Sequence, residues 1–172
     1  MPYREQARAL GREIADGGFD LACGPGTGIA RHVIDGYREA EERGTVRYYL
    51  PSEAAMAAVG EKVEPGADSI ERTDLDYPMR NVLQVQRSDG LFVLTGGDGT
   101  LEEILPAVID YRIPVAAVTG TGTAVKALRA LLEIYPEWAD LVLIGEEARS
   151  LTPTFFVRVR QRSRVRSLHS GG

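Results

Sequence analysis

The chain has 172 residues, 44% of them hydrophobic, which is enough for a globular protein with a buried core. Its formal charge of −5 argues against nucleic acid as a partner, because such binding needs a basic face. A single cysteine, Cys23, excludes an internal disulfide, and with only His32 and His169 beside it a metal site is not expected. The amphipathic start does not resemble a signal peptide, and no run reaches the roughly 18 apolar residues that cross a bilayer. The expectation is a cytoplasmic protein without a membrane partner.

Tyr3, Ala7, Leu10 and Ile14 recur at helical spacing, and Gly17-Gly18 stop that first helix. "FDLAC", 19–23, reads as a strand, "GPGTG", 24–28, as a glycine-rich turn, and "IARHVIDGYREAEERG" as a helix ending near Gly44. "TVRYYL", 45–50, is aromatic and β-branched and predicts a second strand. Residues 51–76 hold Pro51, Gly60, Pro65 and Gly66 and read mostly as loop with one helical turn. A short helix from Met79 to Arg87 leads into a strand at 90–95. Helices at 100–111 and 123–135 flank a strand at 114–118, and "DLVLIG", 140–145, is a further strand. Pro106 falls inside the first of these two helices and removes one donor from its ladder.

Strands alternating with helices predict an α/β fold: a Rossmann-like, mostly parallel sheet with helices on both faces. The boundaries expected are a nucleotide-binding domain over residues 1–150 and an arginine-rich strand or tail over 151–172. In such sheets ligands sit beyond the carboxyl ends of the strands. Glycine-rich turns fall there at 24–28, 96–99 and 120–122.

The turn at "LTGGDGTLEE", 94–103, combines glycines and acids at the start of a helix. Gly96, Gly97 and Gly99 can adopt backbone angles closed to other residues and let a ligand touch the main chain. The leading amides of the helix favour an anion, typically a phosphate, and Thr100 can cap the helix or offer its hydroxyl. The same letters also fit a capping box between Thr100 and Glu103, with Asp98 a plain turn residue. Both readings stand at this point. The threonines of "TGTGT", 119–123, read as caps for their own helix.

"GGDGTLEE" resembles the PGGxGTxxE motif of the LOG ("Lonely guy") family, with Gly96, Gly97, Gly99, Thr100 and Glu103 on its defining positions. Arg80 and Asp89 stand at the distance where family members carry an arginine and an aspartate, and "CGPGTGIARHV" is similar to the family's earlier glycine turn. The resemblance spans roughly residues 3 to 145. It implies hydrolysis of the N-glycosidic bond of a nucleoside 5′-monophosphate, without a cofactor or metal, by a homodimer. Arg80 and Glu103 would be catalytic. Gly96, Gly97, Asp98, Gly99 and Thr100, with Gly24, Gly26, Thr27, Gly28 and Asn81, would bind phosphate or nucleotide. Thr95 replaces the motif's proline. Asn81 stands where many members have lysine, which resembles a branch of nucleotide-binding or molybdenum-cofactor carrier proteins; a non-catalytic carrier is therefore the alternative. A relic that binds no nucleotide is a third reading.

The family opens with an apolar strand and a Gly-Ser turn, whereas this chain begins at the following helix. A central strand and one phosphate loop are therefore expected to be missing or replaced. At the other end, "FFVRVRQRSRVR", 155–166, alternates so that Arg158, Arg160, Arg162, Arg164 and Arg166 would share one face of a strand. A solvated edge strand, a surface for phosphates or an acidic partner, and a permuted replacement for the missing strand by "TFFVRV", 154–159, are all compatible with that pattern.

Overall fold

The computed structural model describes residues 3–169, with side chains described as far as Arg164. The chain forms two compact units, Met1–Gln84 and Val85–Gly172, each with its own three-stranded parallel sheet. The α/β, Rossmann-like character expected from the alternation of elements is present in both.

The first unit contains α1 (Arg4–Asp16), β1 (Leu21–Cys23), α2 (Ile29–Arg38), β2 (Val46–Leu50), α3 (Glu53–Val59), β3 (Ser69–Arg72) and most of α4 (Tyr77–Gln86). The sheet order is β1-β2-β3, so β2 is central, and its Val46, Tyr48, Tyr49 and Leu50 are buried. Ala7, Leu10 and Ile14 of α1 are buried at helical spacing and pack with Val33, Ile34 and Tyr37 of α2 in the core. The helices touch backbone to backbone. A Cβ on Gly11 would lie 2.0 Å from the Val33 carbonyl oxygen, and one on Gly36 would lie 2.0 Å from that of Arg8. This contact accounts for two glycines inside helices, where each costs about 1 kcal/mol relative to alanine.

Asp68 ties the entrance of β2 together. Its carboxylate accepts from the Val46 amide at 2.8 Å, from Arg43 at 2.7 Å and from Arg38 at 3.2 Å. The Arg43 bond first, then the Val46 amide, lower its pKa to about 2. Three details differ from the sequence expectation. The second helix ends at Arg38 rather than near Gly44; Glu39 caps it and pairs with Arg8 and Arg12 of α1. The segment 51–76 holds a two-turn helix, α3, whose Ser52 cap accepts from the Ala55 amide and whose Gly60 closes it in the left-handed region. It also holds β3, an edge strand with an alternating half-buried pattern that its "SIER" composition conceals.

The second unit contains β4 (Leu91–Val93), α5 (Asp98–Ile109), β5 (Val115–Val118), α6 (Gly122–Ile134), a 3-10 turn (Pro136–Asp140), β6 (Val142–Gly145) and α7 (Ala148–His169). β5 is central and buried along its whole length. Its core includes Ile104, Pro106, Ala107 and Val108 of α5, Val125 and Leu128 of α6, and Trp138, which stacks on Tyr135 at 4.6 Å.

The carboxyl-terminal segment is the main correction. Residues 154–159 are not a strand and do not replace one; they lie within α7. The buried positions of α7 include Leu151, Phe155 and Val159 at a spacing of four, with Ala148 and Thr152 beside them, whereas Val157 is 52% exposed. Phe155 meets Phe92 edge-on at 5.3 Å, and Val159 and Phe155 fill the space where Gly90 lacks a side chain. The arginines do not share a face. Arg158 donates to the Asp140 carbonyl at 2.9 Å and Arg162 to that of Tyr111 at 3.0 Å, while Arg160 and Arg164 are exposed. Arg166 lies outside the residues whose side chains are described. No helix among the described residues is long and apolar enough to cross a membrane.

Replacing Gly36 by alanine is expected to destabilise the protein by about 3 kcal/mol, since neither backbone can yield to the added methyl. Urea unfolding of the full chain measures it, and an unchanged midpoint would mean that α1 and α2 do not meet at this position.

Candidate functional site

The turn after β4 carries the acidic, glycine-rich motif. Its helix, α5, has Gly97 as N-cap and begins at Asp98, so Thr100 is already in the first turn. The Leu101 amide donates to the Gly97 carbonyl at 3.1 Å, which leaves the amides of Asp98, Gly99 and Thr100 ahead of the helical ladder. A capping box places its threonine at the N-cap; here Gly97 holds that position and Thr100 lies within the helix. Glu103 is half-buried, three residues beyond Thr100 and hence near it on the helix surface.

Space rather than backbone angle accounts for Gly96. Gly97 has φ −111°, and Gly99 is helical. At Gly96 a Cβ would lie 1.9 Å from Thr100 Oγ1, so the threonine side chain lies back over that residue. At Gly97 the nearest atom to an added Cβ would be Thr123 Oγ1 at 3.9 Å. Gly97, Asp98 and Gly99 are exposed.

The turn after β5 packs on this one. Gly122 has φ +69°, and a Cβ there would stand 2.2 Å from the Gly96 oxygen and 2.6 Å from its nitrogen. The Ala124 amide donates to the same Gly96 oxygen at 3.2 Å. The first turns of α5 and α6 are thereby joined at a single residue. Thr121, at the N-cap of α6, makes no side-chain cap bond; its buried hydroxyl donates to the Val118 carbonyl. The cap expected of it is absent.

In the first unit the turn after β1 uses positive φ at Gly26 (82°) and Gly28 (63°), the latter capping α2. Arg80 lies on this turn: its Nη1 would stand 3.0 Å from a Cβ on Gly24. The guanidinium is buried, donates to Gln84 Oε1 at 3.0 Å and lies 5.7 Å from the centroid of the Tyr77 ring. Asn81 and Gln84 are buried beside it on α4. Thr27 donates to Glu61 Oε1 at 2.7 Å, and the Tyr77 hydroxyl donates to Glu61 Oε2. Desolvation, followed by the Glu61 bond, raises the Tyr77 pKa to about 12.

The expected residues therefore fall in two groups. Gly24, Gly26, Thr27, Gly28, Arg80 and Asn81 belong to the first unit; Gly96, Gly97, Asp98, Gly99, Thr100 and Glu103 belong to the second. Reasoning from sequence missed Tyr77 and Gln84, although both lie one helical turn from Arg80 and were open to detection by spacing. It also missed Glu61, which lies in a segment read as loop and carries no pattern that would single it out. Asp89 accepts from Ser163 at 2.8 Å. Among the described residues no group of three or more His, Cys, Asp and Glu side chains is placed to hold a metal ion.

A family model described as the SLOG cluster4 family matches residues 2–135. The chain belongs to the SLOG cluster4 family. This agrees with the LOG-type resemblance of its motifs. Among solved structures, the chain is similar to the X-ray structure of TM1055, a structural genomics target. Sequence identity is 28% over 89% of this chain and 88% of that one, with a TM-score of 0.70. Comparison with curated proteins gives no match.

For this SLOG chain, Gly122→Ala is expected to lower stability by about 3 kcal/mol, through positive φ together with overlap on the Gly96 backbone. Thr123→Ala, at an exposed position, should stay within about 0.5 kcal/mol of the parent. Chemical unfolding of both variants checks the pair. Equal stabilities would mean that the two turns are not in contact.

Proposed function

We propose that the chain hydrolyses the N-glycosidic bond of nucleoside 5′-monophosphates, releasing a free base and ribose 5-phosphate. The observation that carries this reading is the start of α5. Three leading amides follow an exposed Gly97 that leaves room for a ligand, with a carboxylate, Glu103, one turn further on. The amides and the helix dipole would hold the 5′-phosphate. Glu103 would orient the attacking water and stabilise the positive charge that develops on the ribose as the bond opens. The LOG-type resemblance gives Arg80 the second catalytic role, that of offsetting negative charge on the departing base. Family membership and the LOG-type motif support the same reaction class, and the homodimer expected of that class belongs to this proposal.

A second reading has its own observation. Asn81 is buried where many LOG members have lysine. A neutral amide in that place favours a protein that holds a nucleotide-like molecule without turning it over.

Incubation with AMP and CMP, followed by chromatography of free base, separates the two. Turnover is expected, and both Glu103→Gln and Arg80→Lys should lower it by about 100-fold or more while the unfolding midpoint stays close to the parent. Saturable nucleotide binding with no base released would select the carrier instead.

A further inference from the structure

Charge is spread unevenly along this chain. Residues 1–147 hold 14 basic and 25 acidic side chains, whereas residues 148–172 hold six arginines and no acid. A strongly negative body therefore carries one positive helix, α7. Packing accounts for part of this. Arg158 and Arg162 donate to the Asp140 and Tyr111 carbonyls, at the ends of the 3-10 turn and of α5, where the backbone carries partial negative charge. Val157, Arg160 and Arg164 are different. They recur at a spacing of three and four, form one stripe along the helix, and are all exposed. Arg160 and Arg164 are also like charges four residues apart, a pair that destabilises an isolated helix.

The opposite inventory lies at the same edge of the sheet. Tyr111 and Asp140 stand just before β5 and β6, so the arginine half of α7 sits where these strands begin. The turns after β4 and β5 lie at the other end of the strands. Residues 133–140 join α6 to β6 at the edge where the strands begin, and all but Trp138 are exposed. The segment contains Glu133, Glu137 and Asp140 and no basic residue. Two of its apolar side chains also face solvent, Ile134 at 66% and Tyr135 at 42%. Tyr135 is held in place by its stack on Trp138.

We propose that the Val157-Arg160-Arg164 stripe of α7 docks on the 133–140 segment of a second copy of this chain, reciprocally in the two copies. Each surface offers what the other lacks: arginines beside an exposed valine, and carboxylates beside an exposed isoleucine and tyrosine. Both belong to one unit and to one edge of its sheet, so a single two-fold axis lays each on its counterpart and forms the contact twice. Within one chain the segment is met by Arg158, and the stripe is turned away from the core. The homodimer expected of the reaction class names no surface. This contact is independent of the nucleotide reading, and it stands at the opposite end of the strands from Gly96–Thr100.

Analytical ultracentrifugation of the full chain tests it. The parent is expected to dimerise, with a dissociation constant that rises at least about tenfold between about 0.05 M and about 0.5 M sodium chloride, as exposed charges become screened. Arg160→Glu with Arg164→Glu, and separately Glu133→Arg with Glu137→Arg, should each raise it about 100-fold or more, because like charges then face each other. Mixed in equal amounts, the two variants should pair with each other about as tightly as the parent does with itself, since every reversed charge meets a reversed partner. Should a variant fail to fold, the salt response of the parent decides: a dimer equally tight at both salt concentrations overturns the contact. A dimer indifferent to both reversals overturns it too and leaves the homodimer of the reaction class standing. A monomeric parent overturns both, and its co-sedimentation with phosphatidylserine vesicles would make an anionic lipid surface the occupant of the stripe.

Discussion

The contact on which the candidate site depends is that of Gly122 with the backbone of Gly96. Parallel neighbours β4 and β5 deliver their following turns to the same edge of one sheet, but they do not by themselves bring two helix starts to one point. That requires a residue without a side chain in a left-handed conformation, pressed against a main-chain oxygen and nitrogen. Once it is in place, the Ala124 amide has the Gly96 oxygen as its acceptor, and the first turn of α5 has a fixed neighbour. The leading amides of α5 are then positioned by the fold rather than by a flexible loop. Preorganisation of this kind is what lets donors bind an anion without first being ordered.

The two glycine turns look alike as strings of letters and differ as chemistry. At 96–100 the motif presents donors, and the side chain that packs there, Thr100, lies back over Gly96. At 24–28 the Thr27 hydroxyl donates to Glu61, and the Pro25 carbonyl accepts from the Glu64 amide, both of the loop after α3. The buried Arg80 adds a fixed positive charge to the first unit, held by Gln84 and the Tyr77 ring. Its guanidinium fits against the turn because position 24 has no Cβ.

Much of the fold was readable from residue patterns, and the exceptions have physical causes. Strands β2, β4, β5 and β6 announced themselves as apolar runs, and α1 by its spacing and its Gly17-Gly18 stop. β3 did not, because "SIER" is an edge strand whose outward residues are charged. α7 was misread as a strand because arginines at alternate positions imitate a period of two. The apolar spacing Leu151-Phe155-Val159, which decides the matter, has a period of four and needs the partners Phe92 and Gly90 to become meaningful. The glycine motif at 96–100 could be read from the letters, but the reason for Gly96 could not: it makes room for Thr100. Glu61 was invisible, since nothing local marks one glutamate of a loop as the partner of two distant hydroxyls.

The functional reading turns on whether the leading amides of α5 grip a phosphate. Backbone amide chemical shifts of Asp98, Gly99 and Thr100, followed during titration with AMP and separately with adenosine, show this without recourse to turnover. AMP is expected to move all three amides, whereas adenosine, lacking the phosphate, leaves them in place. Amides that ignore AMP, or that respond equally to adenosine, would contradict the assignment.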